Sequence, residues 1–261
     1  MFSLPLIVLG GTALLFAGAF LLCRRLDNYG VVDVVWSYSF LLLAFGYLAG
    51  FANFTPRGWV ISVMAALWSL RLGTHLLIRV AKAHPEEDRR YHALRRDWSA
   101  NFGPKMFWFF QGQGLAAWLL ALPFALALAN PAATLSPVEW LAVAVWVAAV
   151  AGEALADAQL AAFKRDPANR GKICRRGLWR YSRHPNYFFE WLAWVAFALF
   201  ALPSPFGWIG LVSPLVMYLL LTRVSGIPPM EKQSLASKGE AFRNYQQTTS
   251  AFFPWFPRSS S

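Results

Sequence analysis

The chain has 261 residues, 57% of them hydrophobic and only 14% charged, against the roughly 25% charged residues of soluble domains. That composition excludes an ordinary soluble domain and points to an integral membrane protein. The formal net charge is +11, but the basic residues fall in short loops between apolar runs and no nucleic-acid module carries them, so nucleic acid is not an expected partner.

Seven apolar runs follow in chain order, near 2–23, 31–53, 58–80, 107–129, 136–163, 187–202 and 206–222, most of them reaching the ~20 residues that a spanning helix needs. The first holds no Lys or Arg within residues 1–22, so it lacks the basic start of a cleavable signal peptide and is expected to stay as a helix. The sixth and seventh are short and separated by Leu202-Pro203-Ser204-Pro205. Two tilted spans fit the charge pattern better than one broken hairpin.

Of the 24 Lys and Arg residues, 22 lie in alternate connections: after the first, third, fifth and seventh runs. The exceptions are Arg57, on the other face, and Arg71, inside the third run. The positive-inside rule then places the N-terminus outside and the C-terminus in the cytosol. The expected fold is an all-α, multi-pass membrane protein of seven transmembrane helices, forming a single domain over 1–261. No internal repeat or long linker divides it, and nothing in the sequence sets an oligomeric state.

Polar residues in the apolar runs are the candidates for function, because an ionisable group at membrane depth normally faces a protein interior or a wet cavity. The second run opens Asp33-Val34-Val35-Trp36-Ser37-Tyr38-Ser39-Phe40. Asp33, Trp36, Ser37 and Phe40 share one helix face and are expected to form a pocket wall. The third run carries Trp68 and Arg71. The block His84-Pro85-Glu86-Glu87-Asp88-Arg89-Arg90-Tyr91 is expected to be a charged loop, with Arg90 and Tyr91 folding over a bound nucleotide.

In the fifth run Glu153, Asp157 and Lys164 fall near one face. They cover roughly 16 Å of helix, comparable to an extended nucleotide. The densest polar cluster is Gly177-Leu178-Trp179-Arg180-Tyr181-Ser182-Arg183-His184-Pro185-Asn186-Tyr187-Phe188-Phe189-Glu190. Arg183 and His184 can bind phosphate, Asn186 and Tyr187 can bond an amide or ribose, and Glu190 lies about one turn inside the apolar run.

Several chemistries lose support. Cys23 and Cys174 map to the cytosolic side, where thiols stay reduced. His75, His84, His92 and His184 lack the spacing of a zinc site, so no metal is expected. The dinucleotide fingerprint after a strand, G-x-S-x-G, H-E-x-x-H and Walker motifs do not occur. Any nucleotide is therefore held by side chains within a helical bundle.

The motif at 177–190, with Gly226-Ile227-Pro228-Pro229-Met230-Glu231 and the stretch Tyr245–Phe256, closely resembles the steroid 5-alpha-reductase family, in particular its bacterial DUF1295-like branch, long classed as a domain of unknown function. The likeness runs from Asp33 to Pro257 and is most specific over about 150–257. It implies an NADPH-dependent membrane reductase acting on the activated C=C bond of a 3-oxo-Δ4-steroid or similar apolar enone. It also implies that Asn186 and Glu190 engage the nicotinamide end, and that Asp157, Tyr181, Arg183 and His184 hold ribose and phosphates. Tyr187 belongs to the same motif, Lys164 stands at a phosphate-binding base, and Arg223 with Glu231 form the C-terminal half of the site. The family polarises the substrate ketone with an acid and a tyrosine. Asp33 or Tyr38 are the nearest candidates here, and Trp68 stands at the approximate tyrosine position.

The resemblance implies a location in a bacterial inner membrane, or in the endoplasmic reticulum if the source is eukaryotic, with the cofactor site facing the cytosol. An apolar enone lipid and membrane lipids are the expected partners. Two alternatives remain open. One is an isoprenylcysteine methyltransferase-like enzyme using S-adenosylmethionine, which shares the R-H-P-x-Y element but usually has paired glutamates where Met230-Glu231-Lys232 supplies one. The other is a non-enzymatic sterol- or lipid-binding membrane protein.

Overall fold

In the computed structural model, which describes residues 3–258, all regular structure is helical apart from one isolated bridge between Ser182 and Ser250. Phe2, the first residue of the run 2–23, lies outside the described residues, as do the outermost positions of the 1–261 domain. The helices are α1 (Ser3–Leu26), α2 (Val31–Gly50), α3 (Pro56–Ala83), α4 (Arg89–Asp97), α5 (Phe102–Leu120), α6 (Leu122–Leu128), α7 (Pro137–Arg165), α8 (Pro185–Ala201), α9 (Val212–Leu219) and α10 (Ile227–Thr248). Six helical stretches among the described residues are long and apolar enough to cross a membrane. This is the architecture of a multi-pass membrane protein.

The sixth expected run becomes α8, apolar but only 17 residues long, or about 26 Å. The seventh is built from a 3-10 turn at Gly207–Leu211, α9 and a π-helical turn at Leu220–Val224. Instead of ending there, the chain continues into the polar helix α10. The block His84–Tyr91, expected as loop, gives way at Arg89 to the helix Arg89–Asp97, because Asp88 caps it, its carboxylate accepting from the Arg90 N–H at 3.0 Å.

Backbone contacts divide the chain into two compact units. Unit 1 takes the residues up to Glu139 and Phe200–Val212; unit 2 takes Trp140–Leu199 and Ser213 onward. In unit 1, α2 packs along α3 and α1 packs on α5. Ser69 ties α2 to α3 by donating to the Ser37 carbonyl at 2.6 Å and accepting from the Leu41 N–H at 3.3 Å. Small hydroxyl residues let membrane helices approach while satisfying each other's polar groups. The core is aromatic: Phe20 meets Phe110 edge-on at 5.8 Å, and Phe40 meets Trp68 at 5.2 Å.

One end of unit 1 is fixed by polar groups. Asn53 donates to the carbonyls of Leu128 (2.8 Å) and Asn130 (2.7 Å). Arg57, the one base assigned to the outer face, pairs with Glu139 at 2.9 Å, and these side chains are 3% and 0% exposed.

In unit 2, Gly152 of α7 lies against the Phe189 ring of α8, with no room for a Cβ. The connection after α7 returns through Gly177, at φ +56° and packed on the Gln159 side chain, so a side chain there meets both strain and a clash. Trp179 then donates to the Ala156 carbonyl at 2.9 Å, docking the motif on α7. Cys23 and Cys174 are free and buried.

Candidate functional site

Unit 2 gathers most of the sequence-predicted site residues. Pro185 starts α8, so Asn186 lies in the first turn and Glu190 one turn deeper. Asn186 donates from Nδ2 to Asp157 Oδ1 of α7 at 3.3 Å. Together with the Gly152–Phe189 contact, this bond fixes the antiparallel register of α7 and α8. Four residues further along each helix, about 6 Å deeper, the same register brings Glu153 level with Glu190. Both acids are buried, and Glu190 accepts from Trp194 Nε1 at 3.0 Å. The two helices thus carry a polar column, Asp157 and Asn186 above Glu153 and Glu190, inside otherwise apolar segments.

At the Asp157–Asn186 end of the column, where α8 begins, sits a second network. Arg183 donates through Nε to Glu231 Oε1 at 2.7 Å and through Nη1 to the carbonyls of Gln246 and Thr249. Glu231 also meets His184 Nε2 at 3.2 Å and accepts from Gln246 Nε2 at 2.7 Å. Tyr187 stacks on His184, with centroids 5.5 Å apart and planes 7° from parallel. Tyr181 packs edge-on to Phe256 at 6.0 Å, and its carbonyl accepts from the Trp255 N–H at 2.9 Å.

Arg183 is therefore a clamp that ties the start of α8 to α10 and to the C-terminal stretch, its charge balanced by Glu231. Lys164, in the last turn of α7, and Arg223, in the π-helical turn, are exposed cations. Sequence reasoning passed over Gln246 and Thr249. The signal was the polar run Tyr245-Gln246-Gln247-Thr248-Thr249-Ser250 at the end of a helix.

Arg90, Tyr91, Asp33, Tyr38 and Trp68 all belong to unit 1. The structure joins Asp33, expected as catalytic, to the two residues expected on the nucleotide: Asp33 accepts from Arg90 Nη2 at 2.6 Å and from the Tyr91 hydroxyl at 2.9 Å. Arg90 also holds Asp88, Nε to Oδ1, at 3.1 Å. Burial disfavours the charged Asp88, but hydrogen bonds and charge from Arg90, with Arg79, outweigh it and hold that carboxyl below its usual range. Burial, then the Asp33 charge, pushes the Tyr91 hydroxyl well above its usual value, so Tyr91 is a proton-bearing donor.

Tyr38 bonds Thr74 across α2 and α3 at 3.0 Å. Trp68 is fully buried, packed edge-on against Phe40 and Trp36. Of the expected wall, Ser37 and Phe40 are buried, while Asp33 and Trp36 are partly exposed. Among the described residues no group of three His, Cys, Asp or Glu side chains could hold a metal ion.

Residues 19–249 match the family described as "Protein of unknown function (DUF1295)". The chain belongs to the DUF1295 family. An uncharacterized protein of Schizosaccharomyces pombe (strain 972 / ATCC 24843) is 28% identical over 259 residues, covering 87% of this chain and 73% of its own length. No solved structure matches the chain. The family match spans both units and contains the polar column, the Arg183–Glu231 clamp and the Asp33–Arg90–Tyr91 cluster.

Proposed function

We propose that this DUF1295 protein is a membrane-embedded, NADPH-dependent reductase that adds hydride to the activated C=C bond of a 3-oxo-Δ4-steroid or a similar apolar enone. The reading takes α8 as a seventh span, at the short end of the spanning range. It keeps the N-terminus outside and the C-terminus in the cytosol, as the basic loops require.

The observation that carries it is the polar column. An amide and three carboxylates on two facing membrane helices are costly to maintain, and they match a ligand with an amide and hydroxyls at one end. The donor set fits NADPH: Asn186 and Glu190 can bond a carboxamide, Asp157 can accept from a ribose hydroxyl, and the exposed Lys164 and Arg223 can meet phosphates. Arg183 orders the cradle from behind, through Glu231 and the backbone, and leaves direct phosphate contact to the exposed cations. When bound, NADPH supplies the hydride.

Hydride addition to the β-carbon of an enone leaves negative charge on the ketone oxygen, and a proton must then reach the α-carbon. A donor preorganised in a dry site stabilises that oxygen. Within unit 1, Asp33 acts as an acceptor for Arg90 and Tyr91, which turns the assignment towards hydroxyl donors. Tyr38, whose hydroxyl shares a hydrogen bond with Thr74, is the hydroxyl left for that role, because the Tyr91 hydroxyl already gives its hydrogen to Asp33.

The test is NADPH affinity of detergent-purified Asn186→Ala and Glu190→Ala. The reading expects loss of binding in both, with the proteins still folded and extractable. Unchanged affinity in both removes the site assignment.

A further inference from the structure

We propose that the C-terminal stretch of unit 2 holds a site for the phosphate headgroup of an anionic membrane phospholipid. A cavity of about 530 Å³ there is lined by three arginines, Arg175, Arg180 and Arg258, beside Asn244, Thr248 and Thr249, with no carboxylate among the described residues of its wall. Arg175 is partly engaged, donating to the Ala241 carbonyl at 3.3 Å and lying over the Tyr245 ring at 5.1 Å. Arg180 and Arg258 are exposed. Three arginines lining one space favour an anion there, and the guanidinium fork matches a phosphate.

The site is built rather than incidental. Arg183 N–H donates to the Ser250 carbonyl at 2.8 Å, Trp255 N–H to Tyr181 at 2.9 Å and Arg258 N–H to Thr248 at 2.9 Å. These bonds hold the backbone of the last segment in place against α10 and the 177–183 motif.

What makes the ligand a lipid is the apolar half of the surface. A second cavity of about 380 Å³ shares Thr248, Thr249 and Arg258 and is walled by Phe253, Trp255 and Phe256. Those three are 48%, 70% and 74% exposed. The segment lies at the level where α8 and α9 leave the apolar region, because Phe252 packs on Phe188 (6.0 Å), Trp191 (5.9 Å) and Tyr218 (5.4 Å). Exposed aromatics beside a basic cluster at that level suit the headgroup boundary, where tryptophan anchors and anionic lipids are drawn to bases. A free phosphate uses the arginines but leaves the aromatics unused. The inference does not depend on the reductase reading.

The test is the melting temperature of the full chain in detergent with dihexanoyl phosphatidylglycerol, dihexanoyl phosphatidylcholine or inorganic phosphate. At about a hundredfold excess over its dissociation constant, the phosphatidylglycerol should raise the midpoint by roughly 5–10 °C, while the other two leave it unchanged. R180Q/R258Q should lose the rise and R180K/R258K should keep most of it. An equal rise with phosphatidylcholine or with inorganic phosphate overturns the proposal, as does a full rise in R180Q/R258Q. Quenching of tryptophan fluorescence by phosphatidylglycerol with brominated acyl chains reads the same site without touching an arginine. W255F should reduce the quenching, and undiminished quenching overturns the proposal.

Discussion

Replacing Glu231 with alanine should loosen the last segment of the chain before it unfolds anything else. Glu231 accepts from Arg183 at 2.7 Å and Gln246 at 2.7 Å and meets His184 at 3.2 Å. Arg183 and Glu231 side chains are only 9% and 14% exposed. Removing one partner of a buried pair costs about 3–5 kcal/mol. Arg183 keeps its bonds to the Gln246 and Thr249 carbonyls, so the loss should fall nearer 2–4 kcal/mol, about one to two charged hydrogen bonds.

At about 1.4 kcal/mol per factor of ten, that loss speeds amide exchange roughly 30- to 1,000-fold wherever opening is limited by this clamp. Hydrogen exchange read by mass spectrometry should show it in peptides holding the Arg183, Trp255 and Arg258 amides, which bond Ser250, Tyr181 and Thr248. Peptides from α2 and α3 should be unaffected. Unchanged exchange over residues 250–258 in Glu231→Ala refutes the clamp.

Glu139→Gln leaves the Arg57 guanidinium buried without its counter-charge. A loss of about 3–5 kcal/mol lowers the midpoint by roughly 6–20 °C at about 2–4 °C per kcal/mol; R57M/E139Q should recover most of it, and a double variant worse than either single one contradicts the pairing. Gly73→Ala places a Cβ 2.8 Å from the Tyr38 ring, so it should cut enone turnover roughly 10- to 100-fold through misplacement of that hydroxyl with NADPH affinity intact. Undiminished turnover removes Tyr38 from the reaction. Asp88 has a folded-state carboxyl below its ordinary value, so its contribution is present above the unfolded value and is lost as pH falls through the lower folded one. Asp88→Asn keeps the helix cap but not the charge; its stability deficit at pH 7 should close as pH falls below about 4, and a deficit that does not vary with pH contradicts the assignment.

The hydropathy pattern placed the helices because the membrane, not the details of packing, sets their length. Residues 31–53, 58–80 and 136–163 reappear as α2, α3 and α7 with ends shifted by a few residues. What the pattern could not show is helix in polar sequence. α4 depends on the Asp88 cap, and α10 on its contact with the π-helical turn and on the Arg183 clamp. The break between α5 and α6 falls beside Pro123, inside a run that hydropathy alone reads as continuous.

At the candidate site, residue type and depth singled out Asn186, Glu190 and Asp157, because acids and amides in apolar helices stand out. Their pairing did not show, since the register of α7 against α8 is set by tertiary contacts such as Gly152 on Phe189. The union of Asp33 with Arg90 and Tyr91 was hidden for the same reason: 57 residues separate Asp33 from Arg90. Glu139 was not singled out in the sequence, although it is the partner that the isolated Arg57 finds.

Hydride transfer from NADPH to an enone is the reaction proposed for this protein. It is met most directly by following NADPH oxidation by the purified protein with and without progesterone, then weighing the extracted steroid. Oxidation should depend on the steroid and the product should be two hydrogens heavier, with both lost in Asn186→Ala. Failure to bind NADPH at all, or oxidation that no enone stimulates, contradicts it.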